Sequence, residues 1–167
     1  YKHKNVPLIL ESFKIFNEHH PKSELKIIGV GSAESTLKTL KEKLKVKNVS
    51  FLGRKTRDQI VHELNKSNVF VLGTKYETFG VVLIESISMG VPVIVTDCGG
   101  SEDIMNKEVG RVTKQNDVED MYKSMIDVHN RYDEFIPQNL RDYSNSKFSE
   151  KKLSTRLVKH YENILNN

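Results

Sequence analysis

Glu77 and Glu85 stand eight positions apart, on either side of Phe79-Gly80-Val81, where an apolar helix opens. Glu77 falls in a loop just after an apolar strand. Glu85 falls inside a segment otherwise built of Val81, Val82, Leu83, Ile84, Ile87 and Met89. A carboxylate among such neighbours is costly to bury unless it is paired or hydrogen-bonded. A ligand hydroxyl could satisfy Glu85; so could a backbone cap, or solvent at the helix rim. The first N–H groups of a helix lack intrahelical acceptors and can hold a phosphate. Gly80 at that start would let a ligand approach the backbone without a side chain in the way.

Two further loops carry glycines. Gly29-Val30-Gly31-Ser32-Ala33-Glu34 matches a dinucleotide fingerprint only in part, because Glu34 replaces the third glycine. A tight strand-to-helix turn explains it equally well. In Asp97-Cys98-Gly99-Gly100-Ser101-Glu102, the glycine pair allows close backbone approach, and Glu102 could accept from a sugar hydroxyl. Alternatively, Ser101 caps a short helix with Glu102 in its first turn.

Other chemistries lack their residues. No Gly-x-x-x-x-Gly-Lys-Ser/Thr loop, Gly-x-Ser-x-Gly elbow, His-x-x-x-His pair or dense acidic loop occurs. The sequence thus gives no sign of a metal site. The histidines form no catalytic set; His19 and His20 fall at a helix end, where the dipole favours imidazolium. The single cysteine, Cys98, cannot form an internal disulfide and reads as a packing residue.

The elements that would position these residues alternate. Helices are predicted over Pro7–His19, Ser35–Lys45, Thr56–Ser67 and Phe79–Met89, the third opened by a Thr56/Gln59 capping box with Ile60, Val61 and Leu64 inward. Strands are predicted over Leu25–Ile28, Val49–Leu52, Val69–Leu72 and Val91–Val95, with a short last one over Val109–Thr113. This order argues an α/β fold, a Rossmann-like parallel sheet with helices on both faces. Asn116 or Asp117 caps a helix reaching about Asn130. Pro137 and Asn145 interrupt the following segment, and Ser149–Leu165 is a final helix with Leu153, Leu157, Tyr161 and Leu165 at i,i+4 steps. In open parallel sheets ligands bind beyond the carboxyl ends of the strands, which selects the glycine loops.

The 167 residues suit one domain. Lys+Arg of 26 against Asp+Glu of 22 gives a net +4 with interspersed signs, unlike the gathered charge of a nucleic-acid footprint. No apolar run approaches the ~20 residues of a membrane span. No apolar signal region follows Tyr1-Lys2-His3-Lys4-Asn5. The sequence opens on a helix where a doubly wound domain leads with a strand, as expected of a piece of a larger protein.

The stretch from Glu77 to Glu102 closely resembles the donor-binding half of retaining glycosyltransferases of the GT-B fold, family 4 (glycosyl transferases group 1). The two glutamates separated by seven residues, Phe79-Gly80, Gly90-Val91-Pro92-Val93 and Gly99-Gly100-Ser101-Glu102 carry it. The likeness covers nearly the whole chain and weakens after about Arg111. It implies one half of a two-domain fold, residues 1–167 forming the nucleotide-sugar domain and the helix at about 149–165 packing on an N-terminal domain not present here.

The resemblance also implies roles. Glu77 would lie against the donor sugar. Phe79, Gly80 and Val81 would offer backbone N–H groups to the diphosphate, and Glu85 would bind ribose hydroxyls. Gly31 would approach the diphosphate or base, with Arg54 and Lys55 flanking the base. Lys4 looks like the family lysine on the donor phosphate; its companion arginine would precede Tyr1. The implied donor is a UDP-sugar or a GDP-sugar, with no metal and no other cofactor. The implied acceptor is a glycan or lipid-linked sugar held by the missing domain, which would also make any peripheral membrane contact. The implied location is cytoplasmic, at the inner face of the membrane. A sugar-nucleotide epimerase, a phosphorylase or a non-catalytic α/β scaffold would share the architecture. The first needs general bases and the second a Schiff-base lysine; neither has a motif here.

Overall fold

The computed structural model describes residues 4–165. The expectations placed on Tyr1–His3 lie outside the described residues. The elements run α1 (Val6–His19), β1 (Leu25–Ile28), α2 (Glu34–Leu44), β2 (Val49–Gly53), α3 (Arg57–Leu64), β3 (Phe70–Leu72), α4 (Val81–Ser88), β4 (Val93–Thr96), β5 (Gly110–Thr113), α5 (Val118–Asn130), α6 (Pro137–Phe148) and α7 (Glu150–Leu165). All strand pairings are parallel, as the strand–helix alternation requires.

The strands form two ladders rather than one continuous sheet: β1 with β2, and β3-β4-β5. Their burial differs accordingly. Every residue of β4 is buried, as in a strand covered on both faces, whereas β1 alternates half-buried and exposed. Lys26 on the exposed side of β1 reaches Glu63 of α3, Nζ to Oε2 2.8 Å. The core joins Leu8, Leu10 and Phe13 of α1 to Leu83 and Ile87 of α4, to β4, and to Met121, Met125 and Val128 of α5.

The capping box forms as predicted: the Gln59 N–H donates to Thr56 Oγ1, and the Thr56 N–H to Gln59 Oε1. The α3 stripe is narrower than expected. Leu64 is buried, but Val61 is 37% exposed. α3 also ends at Leu64 rather than Ser67, because the Lys66 and Ser67 amides turn back to the Glu63 and Leu64 carbonyls. Asp117, not Asn116, caps α5, accepting from the Asp120 amide.

Pro137 does not interrupt a helix; it begins one. It sits in the first turn of α6, where a missing N–H loses nothing. Asn145 lies inside α6, whose Leu140 and Ser144 are buried. The Tyr143 hydroxyl donates to the Ile104 carbonyl at 2.7 Å, which anchors α6 to the turn after β4. That turn is a single one, short of the helix that is one of the two readings at Ser101; the Ile104 and Met105 amides both donate to the Ser101 carbonyl.

His20 also departs from expectation. Its ring lies 4.3 Å from His129 and 4.5 Å from Phe16. Burial first, then the neighbouring His129 and His19, push its pKa down, the direction opposite to the one a helix end favours. Along α7, Leu153, Leu157, Val158, Tyr161, Ile164 and Leu165 are all 41–84% exposed, leaving one apolar face uncovered. No described helix is long and apolar enough to cross a membrane.

Candidate donor site at the start of α4

The site begins at the carboxyl end of β3. Thr74 is fully buried there; its hydroxyl donates to the Tyr76 carbonyl at 2.9 Å, curling the chain back. The Thr96 hydroxyl, at the end of β4, donates to the Thr74 carbonyl. Gln115 Nε2 then donates to the carbonyls of both Lys75 and Asp97. Glu77 is thereby carried on a backbone held from two neighbouring strand ends. It forms an isolated parallel bridge with Gly99.

Gly100 makes that bridge possible. A β-carbon there would sit 2.0 Å from the Glu77 carbonyl oxygen and 2.6 Å from its carbon. The close approach anticipated at the glycine pair is therefore made by the protein's own Glu77–Thr78 backbone.

The Glu77 carboxylate meets the Lys4 ammonium, Oε2 to Nζ 2.9 Å, across 73 positions of sequence. Its other oxygen accepts from the Thr78 amide at 3.2 Å. The Lys4 hydrogen bond holds the carboxyl below the usual carboxylate range; burial opposes this, and the Thr78 and Gly80 amides add to the lowering. Lys4, Tyr76, Glu77, Thr78 and Cys98 line an open cleft of about 420 Å³. Cys98 is buried, with Sγ 3.8 Å from the Ser101 hydroxyl oxygen, in keeping with a packing role.

Gly80 caps α4 in a left-handed conformation, φ 82°. Its amide faces Glu77 and adds to the lowering of that carboxyl's pKa. Phe79 and Val81 are exposed beside it. Phe79 packs edge-on against Phe148 of α6 at 6.3 Å. Glu85 follows Val81 by four residues, hence on the same helix face and ~6 Å further along the axis. It is half-buried, and among the described residues it enters no ion pair.

Gly31, Arg54 and Lys55 lie at the carboxyl ends of β1 and β2. The Gly29 amide donates to the Gly53 carbonyl at 2.8 Å, bringing those two loops side by side. Gly31 and Arg54 are exposed and Lys55 is half-buried, but none of the three lines the cleft. The structure thus unites Lys4 with Glu77 and leaves the base-side candidates on a separate part of the rim. Among the described residues no group of three or more His, Cys, Asp or Glu is placed to ligate a metal ion.

Thr78, Thr96 and Gln115 were not singled out by the sequence reading. Thr96 and Gln115 act through contacts between loops far apart in the chain, for which spacing gives no signal, whereas Thr78 acts through the backbone amide next to Glu77, which carries no side-chain signature. The Thr74–Tyr76 turn was visible only as a loop after a strand.

The fold has clear counterparts. Residues 1–145 match the profile of the glycosyl transferases group 1 family. An N-acetyl-alpha-D-glucosaminyl L-malate synthase from Bacillus anthracis is 30% identical over 166 residues, covering 98% of this chain and 42% of its own. A GDP-mannose-dependent mannosyltransferase from Corynebacterium glutamicum, acting on a monoacylated phosphatidylinositol monomannoside, is 30% identical over 115 residues, 65% of this chain and 30% of its own. Anabaena HepE solved with UDP superposes with a TM-score of 0.84 over 98% of this chain and 46% of that one, at 15% identity. A mutant of S. aureus TarM, in complex with fondaparinux, alpha-GlcNAc-glycerol and UDP, superposes with a TM-score of 0.83 at 20% identity, over 99% of this chain and 33% of that one. At such identities the two structures establish the fold alone. The chain spans less than half the length of the curated relatives it matches. On the profile match over most of its length, the chain belongs to the glycosyl transferases group 1 family.

Proposed function

We propose that this chain is the donor-binding half of a retaining glycosyltransferase, which moves a sugar from a nucleoside diphosphate to a glycan or lipid-linked acceptor. The acceptor side belongs to a domain outside this sequence, and the apolar face of α7 is the surface on which that domain packs. The observation that carries the reading is the Lys4–Glu77 pair, seated in a cleft four residues before the first residue of α4.

The roles follow from charge. Cleaving a sugar–diphosphate bond builds negative charge on the diphosphate and positive charge at the anomeric carbon. Lys4 and the amide-rich start of α4, at Phe79, Gly80 and Val81, stabilise the first. The Glu77 carboxylate lies against the sugar. Glu85 accepts from the ribose hydroxyls. Gly31 approaches the base or diphosphate from the β1 loop, and Arg54 and Lys55 flank the base. The acceptor hydroxyl attacks from the leaving-group side, which retains configuration. Glu77 and Glu85 serve different parts of the ligand and do not act as a hydrolytic pair. The donor is read as a UDP-sugar, in line with the UDP complexes of HepE and TarM. The GDP-mannose dependence of the Corynebacterium relative makes GDP the second base to test.

Calorimetric titration of the full-length protein with UDP and GDP tests this. The wild type is expected to select one of them. Glu85→Ala should weaken that binding by ~10–100-fold, the loss of hydrogen bonds to a charged acceptor. Binding of neither nucleotide, or an unchanged affinity in Glu85→Ala, would defeat the reading.

A further inference from the structure

Lys4 is followed by a residue tied to two distant parts of the chain. Asn5 occupies the position before α1 with φ 45° and ψ 45°, a left-handed conformation uncommon outside glycine. Its carbonyl accepts from the Leu8 amide at 3.1 Å. The same carbonyl packs against the chain just after β3, where a β-carbon on Gly73 would lie 3.1 Å away. Its side-chain Nδ2 donates to Asn116 Oδ1 at 3.1 Å, across 111 positions of sequence. Asn116 is itself left-handed, φ 55°.

Asn116 belongs to a turn with contacts on both sides. Asp120 Oδ2 accepts from the Thr113 hydroxyl at 2.9 Å and from the Lys114 amide at 2.7 Å. Gln115 clasps the loops after β3 and β4, and Asp117 caps α5. The turn that fixes the backbone of Glu77 therefore also holds the residue next to Lys4. Both ends of the ion pair are referred to one short segment.

We infer that Asn5 and Asn116 are a positioning pair, setting the Lys4 ammonium against the Glu77 carboxylate at the start of α4. Neither touches the reacting atoms; they act through Lys4. Asparagine tolerates a left-handed backbone, and here the two side chains also bond to each other. The consequence for sugar transfer rests on the proposed function. The positioning itself does not.

The test reads the Glu77 carboxyl directly, by carbon NMR of the full-length protein labelled at glutamate Cδ, with Glu77→Gln assigning the signal. The groups facing that carboxyl are the Lys4 ammonium and the Thr78 and Gly80 amides, with Tyr76 and Cys98 the other titratable side chains of the cleft. Lys4→Ala should raise the pH at which Glu77 titrates. Asn116→Gly and Asn5→Gly, which keep a left-handed backbone accessible, should each give at least half of that rise. Asn48→Gly is the control. Asn48 is also left-handed, φ 56°, but its amide bonds to the Pro21 and Ser23 carbonyls, and Glu77 should titrate there as in the wild type. Wild-type titration in both Asn5→Gly and Asn116→Gly, with Lys4→Ala shifted, would overturn the inference. So would a Lys4→Ala that moves nothing. UDP and GDP binding to the same variants is a separate reading. If neither nucleotide binds the wild type, the donor assignment fails while the Glu77 titration still decides the positioning pair.

Discussion

Lys4→Ala is expected to slow sugar transfer by the full-length enzyme by ~10²–10³-fold, the scale seen when one donor to a developing anion is removed. Its effect on stability should be small. The Lys4 and Glu77 side chains are 40% and 18% exposed, and a pair so open to solvent contributes at most about 1 kcal/mol. The contrast between the two effects is the diagnostic: a structural lysine would move the melting temperature and the rate together. The pH dependence follows from the same pair. Glu77 titrates below the usual carboxylate range chiefly because of Lys4. A carboxyl lowered by folding stabilises the protein above its unfolded pKa. That contribution disappears as pH falls through the lowered folded value. The stability gap between wild type and Lys4→Ala should therefore be present at neutral pH and close in acid. In the variant, protonation of Glu77 should begin at higher pH, moving the acid limb of the activity profile upward. Rates and melting curves measured across pH check both. Equal acid limbs in the two proteins would contradict the assignment.

Gly100→Ala should be nearly as damaging, by a different route. The new β-carbon would meet the Glu77 carbonyl oxygen at 2.0 Å and the Thr78 carbonyl carbon at 2.7 Å. These are backbone atoms, so no rotamer change relieves the overlap. The Glu77 loop has to move off the Gly99 bridge. Overpacking of this kind costs about 1–3 kcal/mol, occasionally more. Because the displaced residues are Glu77 and Thr78, nucleotide affinity should fall by at least ~10-fold, or about 1.4 kcal/mol. Gly99→Ala is the comparison. Gly99 has φ 83° with nothing within 4 Å of the added carbon, so only left-handed strain of ~1–2 kcal/mol applies. Thermal melting and UDP or GDP titration of both variants separate strain from displacement. A Gly100→Ala protein that binds as tightly as Gly99→Ala would contradict the geometry.

Periodicity and capping chemistry made the local elements legible. The Thr56/Gln59 box, the apolar run of β4 and the opening of α4 next to Glu77 all depend on residues a few positions apart. Where the reading failed, a longer-range term decided. Pro137 looks like a break until its place in a first turn is known, and Asn145 has weak helix propensity that packing of Leu140 and Ser144 overrides. The split of the strands into two ladders depends on which strand edges hydrogen-bond in the fold, and the different burial of β1 and β4 on their surroundings; a run of four apolar or mixed residues distinguishes neither. At the site, Glu77 is legible from its place between a strand and a helix, Lys4 only from a resemblance, and their contact spans 73 positions. The clasp by Gln115 spans 40 and 18 positions, and the Asn5–Asn116 contact 111. Side-chain amides can bond almost any backbone group, so their partners are set by the folded topology and leave no pattern in the chain.

The most direct test of the donor site is amide chemical-shift mapping of the nitrogen-labelled full-length protein during titration with UDP and GDP, with uridine and guanosine as phosphate-free controls. The amides of Phe79 and Val81, at the start of α4, should shift with one diphosphate and stay in place with its nucleoside. Shifts confined to residues away from Glu77 and α4, or identical shifts from nucleoside and diphosphate, would contradict diphosphate binding at this helix.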